Sequence, residues 1–226
     1  MDLTIACQSI IPPRNVQNKV KMSSVSPTLV LASTSTTRLR LLKSLRLPVS
    51  VVKPEFTEIE SSEHDPRQTA ILNAAGKAQA VVPFATDQYG SNGVIVGSDQ
   101  VCCLPTGEQL HKPLTIDNAI AQLSLASGKQ LTFYTALTVI STDCEVVSTV
   151  TESRVSMRTL TQDEIRSYVL ADRPLWSAGS FHAEGAGLHV IERIETDDIN
   201  GLYGLPVLKL LSILRDLGKL PALLID

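Results

Sequence analysis

The stretch from Leu29 to Leu42 constrains the fold more than any other part of this chain. Leu29, Val30, Leu31 and Ala32 form an apolar run of strand type, and Ser33, Thr34, Ser35, Thr36 and Thr37 follow as a polar loop. Arg38 then opens an amphipathic helix running through Leu41, Leu42 and Leu45. A strand, a polar loop and a helix in that order aim backbone N–H groups, hydroxyls and a guanidinium at one point. A phosphate binds well there, because the donors are otherwise unpaired and the helix dipole favours negative charge. Many α/β proteins begin in this way for structural reasons, so the segment alone leaves phosphate binding and a purely structural role both open.

Composition narrows the class without choosing a function. The 226 residues suffice for one large domain or two small ones, each able to bury a sizeable core. A net charge of -3 gives no general electrostatic reason to bind nucleic acid or an anionic membrane, and neither partner is expected. No apolar stretch is long enough to span a bilayer. Cys7, Cys102, Cys103 and Cys144 contain no C-x-x-C spacing, and Cys102 and Cys103 lie in an apolar run. They read as buried reduced thiols of an intracellular protein rather than zinc ligands or a disulfide framework.

Residues 1–26 read as a separate, poorly ordered extension. They carry Arg14, Lys19 and Lys21 against the single acid Asp2, with a Pro12-Pro13 break before a serine-rich stretch. An organellar address is the alternative, but the segment is short of arginine, and the expected location is cytoplasmic. The organised domain is expected over 27–226. There, strand and helix patterns alternate. Asp65-Pro66-Arg67-Gln68 supplies a helix N-cap, a first-turn proline and a capping-box glutamine, for a helix expected to run to about Val82. Val94–Val96 reads as a strand ending at Gly97-Ser98-Asp99, with a second strand at 101–104. Thr115 caps the next helix, 131–140 and 146–157 alternate as paired antiparallel strands, and Thr161-Gln162-Asp163-Glu164 is a capping box. The last helix opens at Gly204-Leu205-Pro206 and closes at Gly218, giving a mixed α/β or α+β protein.

Four charged residues lie next to chain turns: Glu58, Lys77, Asp99 and Lys112. Asp99 follows a buried strand, where α/β folds usually place their sites. Such a carboxylate can hold a divalent metal or take a proton from an attacking water, and it can equally cap a turn. Lys77 and Lys112 are by default solvated lysines, and Glu58 one more acid in an acidic loop. His64, His111, His182 and His189 show no metal-ligand spacing.

Colinear motifs carry the reading further. Ser33-Thr34-Ser35, Arg38, Glu58, Ala74-x-x-Lys77-Ala78, Gly97-Ser98-Asp99-Gln100, Lys112-Pro113, Ser127-Gly128, Phe133-Tyr134-Thr135, Ala178-Gly179-Ser180-Phe181, Glu184-Gly185 and Gly204-Leu205-Pro206 occur in one order. That order resembles the Maf family of nucleoside triphosphate pyrophosphatases over nearly all of 29–219. The motifs at 97–102, 133–135 and 179–185 look like the subgroup that cleaves 7-methyl-GTP. The resemblance implies a strongly curved mixed sheet flanked by helices, with a deep nucleotide cleft as in inosine triphosphatases. It implies Asp99 as proton acceptor and metal contact, with Glu58 helping to hold a divalent cation, Mg2+ or Mn2+. Ser33, Ser35, Arg38, Lys77 and Lys112 would bind the triphosphate, and Gln100 and Glu184 would select the base. Homodimers are common in the family.

Other positions depart from the family pattern. Thr36 replaces the usual loop proline, Leu39 the subgroup's next arginine, and His111 the glycine before Lys112. Thr37, a specificity position, stands where the subgroup carries tryptophan. An aromatic face there contributes about 1–2 kcal/mol by stacking on a cationic base, which threonine cannot supply. The reaction expected is hydrolysis of a nucleoside triphosphate, 7-methyl-GTP first, to the monophosphate and pyrophosphate, clearing modified nucleotides from the pool. The changed loop keeps two alternatives open. One is a nucleotide-binding regulator of cell division or septum formation with little turnover; the other is a pyrophosphatase for an inosine-type or pyrimidine nucleotide.

Overall fold

The computed structural model describes residues 27–59, 65–143 and 145–220. The expected extension over 1–26, with any organellar address in it, lies outside the described residues, as do His64, Cys7 and Cys144. Six strands form one mixed sheet in the order β2-β1-β3-β4-β5-β6. They are β1 (Thr28–Ala32), β2 (Val49–Val52), β3 (Gly93–Cys103), β4 (Gln130–Ser141), β5 (Val146–Met157) and β6 (Ile191–Thr196). β1 pairs in parallel with β2 and β3, and the remaining neighbours are antiparallel. The helices are α1 (Thr36–Ser44), α2 (Pro66–Gln79), α3 (Val82–Tyr89), α4 (Ile116–Ala126), α5 (Gln162–Asp172), α6 (Ile199–Leu202) and α7 (Val207–Asp216). A mixed α/β sheet flanked by helices is the class the sequence implied. Among the described residues no helix is long and apolar enough to cross a membrane.

β1 is apolar from Leu29 to Ala32 because both its faces are covered there. Side chains alternate across a strand, so Leu29 and Leu31 join Leu42, Leu210 and Leu214 in one core. Val30 and Ala32 point the other way, into a core with Ala78, Val81 and Ala85. The same alternation organises β3. Its even positions face α6 and α7, where Ser98 Oγ donates to the Gly204 carbonyl at 2.9 Å. Its odd positions face α2, where Val101 and Cys103 pack with Ala70 and Ala74. A third core joins α4 and α5 to the distal half of β4 and β5 through Leu123, Leu131, Phe133, Val155 and Ile165. The buried thiols of Cys102 and Cys103 are free, and burial pushes Cys103 up to about 11.

Three local expectations change. The helix expected to reach Val82 ends at Gln79, and a new one starts at Val82 because Pro83 occupies its first turn. The first helix starts at Thr36, two residues early, because the Ser35 hydroxyl caps it by accepting from Arg38 N at 3.3 Å. Most importantly, Asp99 does not end a strand. β3 runs unbroken through it, opposite Ala136 of β4. The pairing with β1 stops at Val96, whereas β4 continues to Cys103 opposite Thr132. Asp99 therefore lies on the part of β3 from which the parallel neighbour has withdrawn, and that withdrawal makes room for a site.

Candidate active site

A cleft of about 730 Å³ opens beside this half of β3, and every sequence-predicted site residue lines it. Lys77 and Asp99 form its floor, at 7% and 8% exposure. Lys77 Nζ lies 2.6 Å from Asp99 Oδ1 and 2.6 Å from Glu58 Oε1, so one ammonium joins a buried and an exposed carboxylate. Lys77 reaches them because it sits on the face of α2 that covers the odd positions of β3. Sequence reasoning missed Asn73, one turn earlier on that face. Its Nδ2 donates to Asp99 Oδ2 at 3.2 Å and to the Ile59 carbonyl at 3.3 Å, and its Oδ1 accepts from Ile59 N at 2.8 Å. Asn73 thus ties the Glu58 loop to the helix and the strand. The i, i+4 spacing of Asn73 and Lys77 was the available signal.

Burial alone would raise Glu58, but the Lys77 hydrogen bond and the charges of Lys77, Lys112 and Arg38 overcome it and hold the carboxyl below its usual range. A folded-state value below the unfolded one stabilises the protein above the unfolded pKa and is lost as pH falls through the folded value. Glu58→Gln should therefore lower the melting temperature slightly at neutral pH. The difference should fade as the pH drops below about 4, where the unfolded glutamate is already protonated, and vanish once the folded carboxyl is protonated too. Melting curves across pH 3–7, on the scale set by that ordinary glutamate value, check this; a difference that grows toward acid overturns the assignment.

Gly76 sets the position of the same loop. A Cβ there would lie 2.1 Å from Phe56 Cε2 and 2.3 Å from Cζ, so the ring rests directly on the glycine. Phe56 is half-buried, so the clash is relieved by displacing either its ring or the segment of backbone two residues before Glu58. Gly76→Ala is expected to leave melting within a few degrees of the unmodified protein, yet lower kcat/KM for the cleft's reaction about tenfold. Equal loss of both would instead make Phe56 a packing residue only.

The loop before α1 supplies the second wall. Arg38 Nε donates to the Gly204 carbonyl at 2.7 Å and Nη1 to Ser33 Oγ at 3.3 Å, while Ser35 N donates to Ser33 Oγ at 3.1 Å. Burial lowers the Arg38 pKa, and the charges of Asp99 and Glu58 oppose the shift. The guanidinium remains cationic, with its other N–H donors available to an anion. Lys112 and Lys53 add exposed positive charge; Lys53 directly follows β2 and was not singled out from the sequence.

Thr37 and Glu184, expected as specificity positions, meet directly. Thr37 Oγ1 donates to Glu184 Oε1 at 3.2 Å, and Arg40 Nη2 lies 3.4 Å from the same oxygen. Gln100 is differently employed. Its Nε2 lies within hydrogen-bond distance of Thr135 Oγ1 and of the Gly201 and Leu202 carbonyls, at 2.9, 3.1 and 2.9 Å, anchoring α6 to the sheet. Among the described residues no cluster of three or more His, Cys, Asp or Glu side chains is close enough to hold a metal unaided. Glu58 and Asp99 nonetheless converge on one cation, and Mg2+ is commonly held by one or two carboxylates plus substrate phosphates. The donor set fits such an ion.

A mixed α/β fold with two carboxylates and several cations converging in one cleft defines a polyanion-binding hydrolase type of site. The chain belongs to the Maf-like protein family, which matches residues 28–217. A relative from Syntrophotalea carbinolica named 7-methyl-GTP pyrophosphatase is 39% identical over 191 residues, covering 84% of this chain and 94% of that one. One of the same name from Vibrio vulnificus is 39% identical over 84% of this chain and 95% of its own. Among solved structures, the Staphylococcus aureus Ham1 protein aligns over 84% of this chain and 98% of its own, at 14% identity and a TM-score of 0.48.

Proposed function

We propose that this protein hydrolyses 7-methyl-GTP to 7-methyl-GMP and pyrophosphate, removing a modified nucleotide from the pool. The observation that carries the reading is the pair of carboxylates, Glu58 and Asp99, held by one buried ammonium in a cleft that also holds Arg38. The names of the relatives supply the nucleotide.

In this reading water attacks the α-phosphorus and pyrophosphate leaves, so charge must be stabilised along the triphosphate. Asp99 accepts the proton of the attacking water. Asn73 and Lys77 fix the orientation of that carboxylate, one on each oxygen. Lys77 has three N–H donors, of which two engage carboxylates and the third is free for a phosphate oxygen. Arg38, already oriented by Gly204 and Ser33, presents its remaining donors to the triphosphate. Ser35 caps α1 by accepting from Arg38 N, which leaves the Thr36 and Thr37 N–H groups of the first turn for an anion, and Lys112 adds charge at the mouth. Glu58 and Asp99 would hold Mg2+ or Mn2+, which when bound supplies positive charge against the triphosphate oxygens. Glu184 can accept from the N1 and N2 hydrogens of guanine and attract the cationic ring that N7 methylation creates.

The test is pyrophosphate release with Mg2+ from 7-methyl-GTP, GTP, dTTP, UTP, CTP and ITP. A preference for 7-methyl-GTP is expected. Preference for another nucleotide keeps the chemistry and overturns the substrate, and binding without release from any of them overturns the hydrolase reading.

A further inference from the structure

Trp176 is the only tryptophan in the chain, and it is 74% exposed although it lines the cleft. The other phenylalanine and tyrosine rings there are less exposed, and Tyr203 is partly buried against the core. Phe133 and Phe181 are buried and pack edge to face, with centroids 5.7 Å apart and planes at 81°. Phe56 lies on Gly76. Trp176, the most exposed of these rings, offers an open face to a ligand.

The loop that carries it is held in place on both sides. Leu175 N donates to the Arg173 carbonyl at 2.8 Å, and Ser177 N to the Pro174 carbonyl at 3.4 Å. The Leu175 carbonyl accepts from Leu114 N at 3.0 Å, which fastens the loop to the segment bearing Lys112. These bonds are all backbone to backbone, so the indole contributes nothing to them. A large apolar ring on a fixed loop, turned toward a charged cleft, is costly in water unless a ligand covers it. The cleft's cations, Arg38, Lys53, Lys77 and Lys112, suit the phosphates and leave the base in need of a different surface. An indole face is electron-rich and attracts a flat ring, most strongly a positively charged one.

We propose that Trp176 stacks on the base of the bound nucleotide and, together with the Glu184 carboxylate in the same cleft, favours a cationic N7-methylated purine over a neutral one. This rests on the nucleotide reading of the cleft given above. Trp176 is a specificity residue in this scheme, and it takes no part in moving protons.

A single tryptophan makes the test direct, because emission excited at the red edge, where the four tyrosines do not absorb, reports Trp176 alone. Saturable quenching is expected on titration with 7-methyl-GMP, weaker quenching with GMP and none with pyrophosphate. Trp176→Ala should raise KM for 7-methyl-GTP about tenfold and KM for GTP less than about threefold, with kcat falling less than about threefold. Trp176→Phe should recover most of the loss. Unchanged melting in both variants separates binding from folding. If the protein turns over 7-methyl-GTP but shows neither quenching nor a KM change in Trp176→Ala, stacking is overturned and the hydrolase reading stands. If it turns over nothing yet is quenched by 7-methyl-GMP, stacking stands and the hydrolase reading falls. No quenching and no turnover overturns both.

Discussion

Asp99→Asn is expected to lower kcat for pyrophosphate release about 10³-fold while the nucleotide still binds. Asparagine keeps the size of the side chain, so the cleft keeps its shape, but the amide cannot accept the proton of an attacking water. In the proposed mechanism Lys77, Arg38 and Lys112 still hold the triphosphate, so binding should survive. The substitution has a structural cost as well. Asp99 Oδ2 accepts from Asn73 Nδ2, and in the variant either that oxygen or the one facing Lys77 becomes an NH2 group. Two donors then face each other in a buried place, at a cost of about 1–3 kcal/mol. Melting must therefore be measured beside the rate, at a temperature where the variant is folded. A folded variant keeping more than about a tenth of the rate would remove Asp99 from the role of base.

The largest loss of stability should come from Gly97→Ala. A Cβ at this position would lie 2.4 Å from the Ala74 carbonyl oxygen, 2.7 Å from Ala78 Cβ and 2.9 Å from Ala78 N. The obstacle is the α2 backbone, which cannot rotate out of the way as a side chain would. Either the helix lifts or the strand bends, at about 3 kcal/mol or more. For a chain of this size that lowers the melting temperature by roughly 6–12 °C. Lifting α2 also draws Asn73 and Lys77 away from Asp99, so activity should fall in molecules that remain folded. Thermal melts with parallel rate measurements check both parts. A drop below about 2 °C would mean that helix and strand are not in the close contact described.

Much of this arrangement was legible because side-chain direction in a strand has a period of two. The apolar run at Leu29–Ala32 and the motif around Asp99 located β1 and β3, and the capping residues Asp65, Thr115 and Thr161 located three helices. What the sequence misplaced was the end of β3. Gly97-Ser98-Asp99 has the composition of a turn, yet Gly97 is there to admit α2, and Ser98 satisfies its hydroxyl on the Ala136 and Gly204 carbonyls. Local chemistry cannot show that β4 continues as a partner after β1 has stopped. The site was legible in its charges and less so in their supports. Asn73 carries no charge and sits in a run of ordinary helix formers, so only its spacing from Lys77 hinted at it. Gln100 looked like a residue aimed at a base, and its bonds to Gly201 and Leu202 depend on a segment a hundred residues away.

The carbonyl of Gly204 accepts from both Arg38 Nε and Ser98 Oγ. An arginine side chain free in solvent has roughly 2 kcal/mol of rotamer entropy to lose on gripping a ligand. Here much of that disorder is removed when the chain folds, before any nucleotide arrives. If Arg38 binds the triphosphate as proposed, affinity for it is thus partly stored in a peptide oxygen more than a hundred and sixty residues away along the chain. Residues that only orient that oxygen can weaken binding without touching the ligand. Asp198 is one: its carboxylate accepts from Asn200 N and Leu208 N on either side of Gly204, holding the connection between α6 and α7 in place.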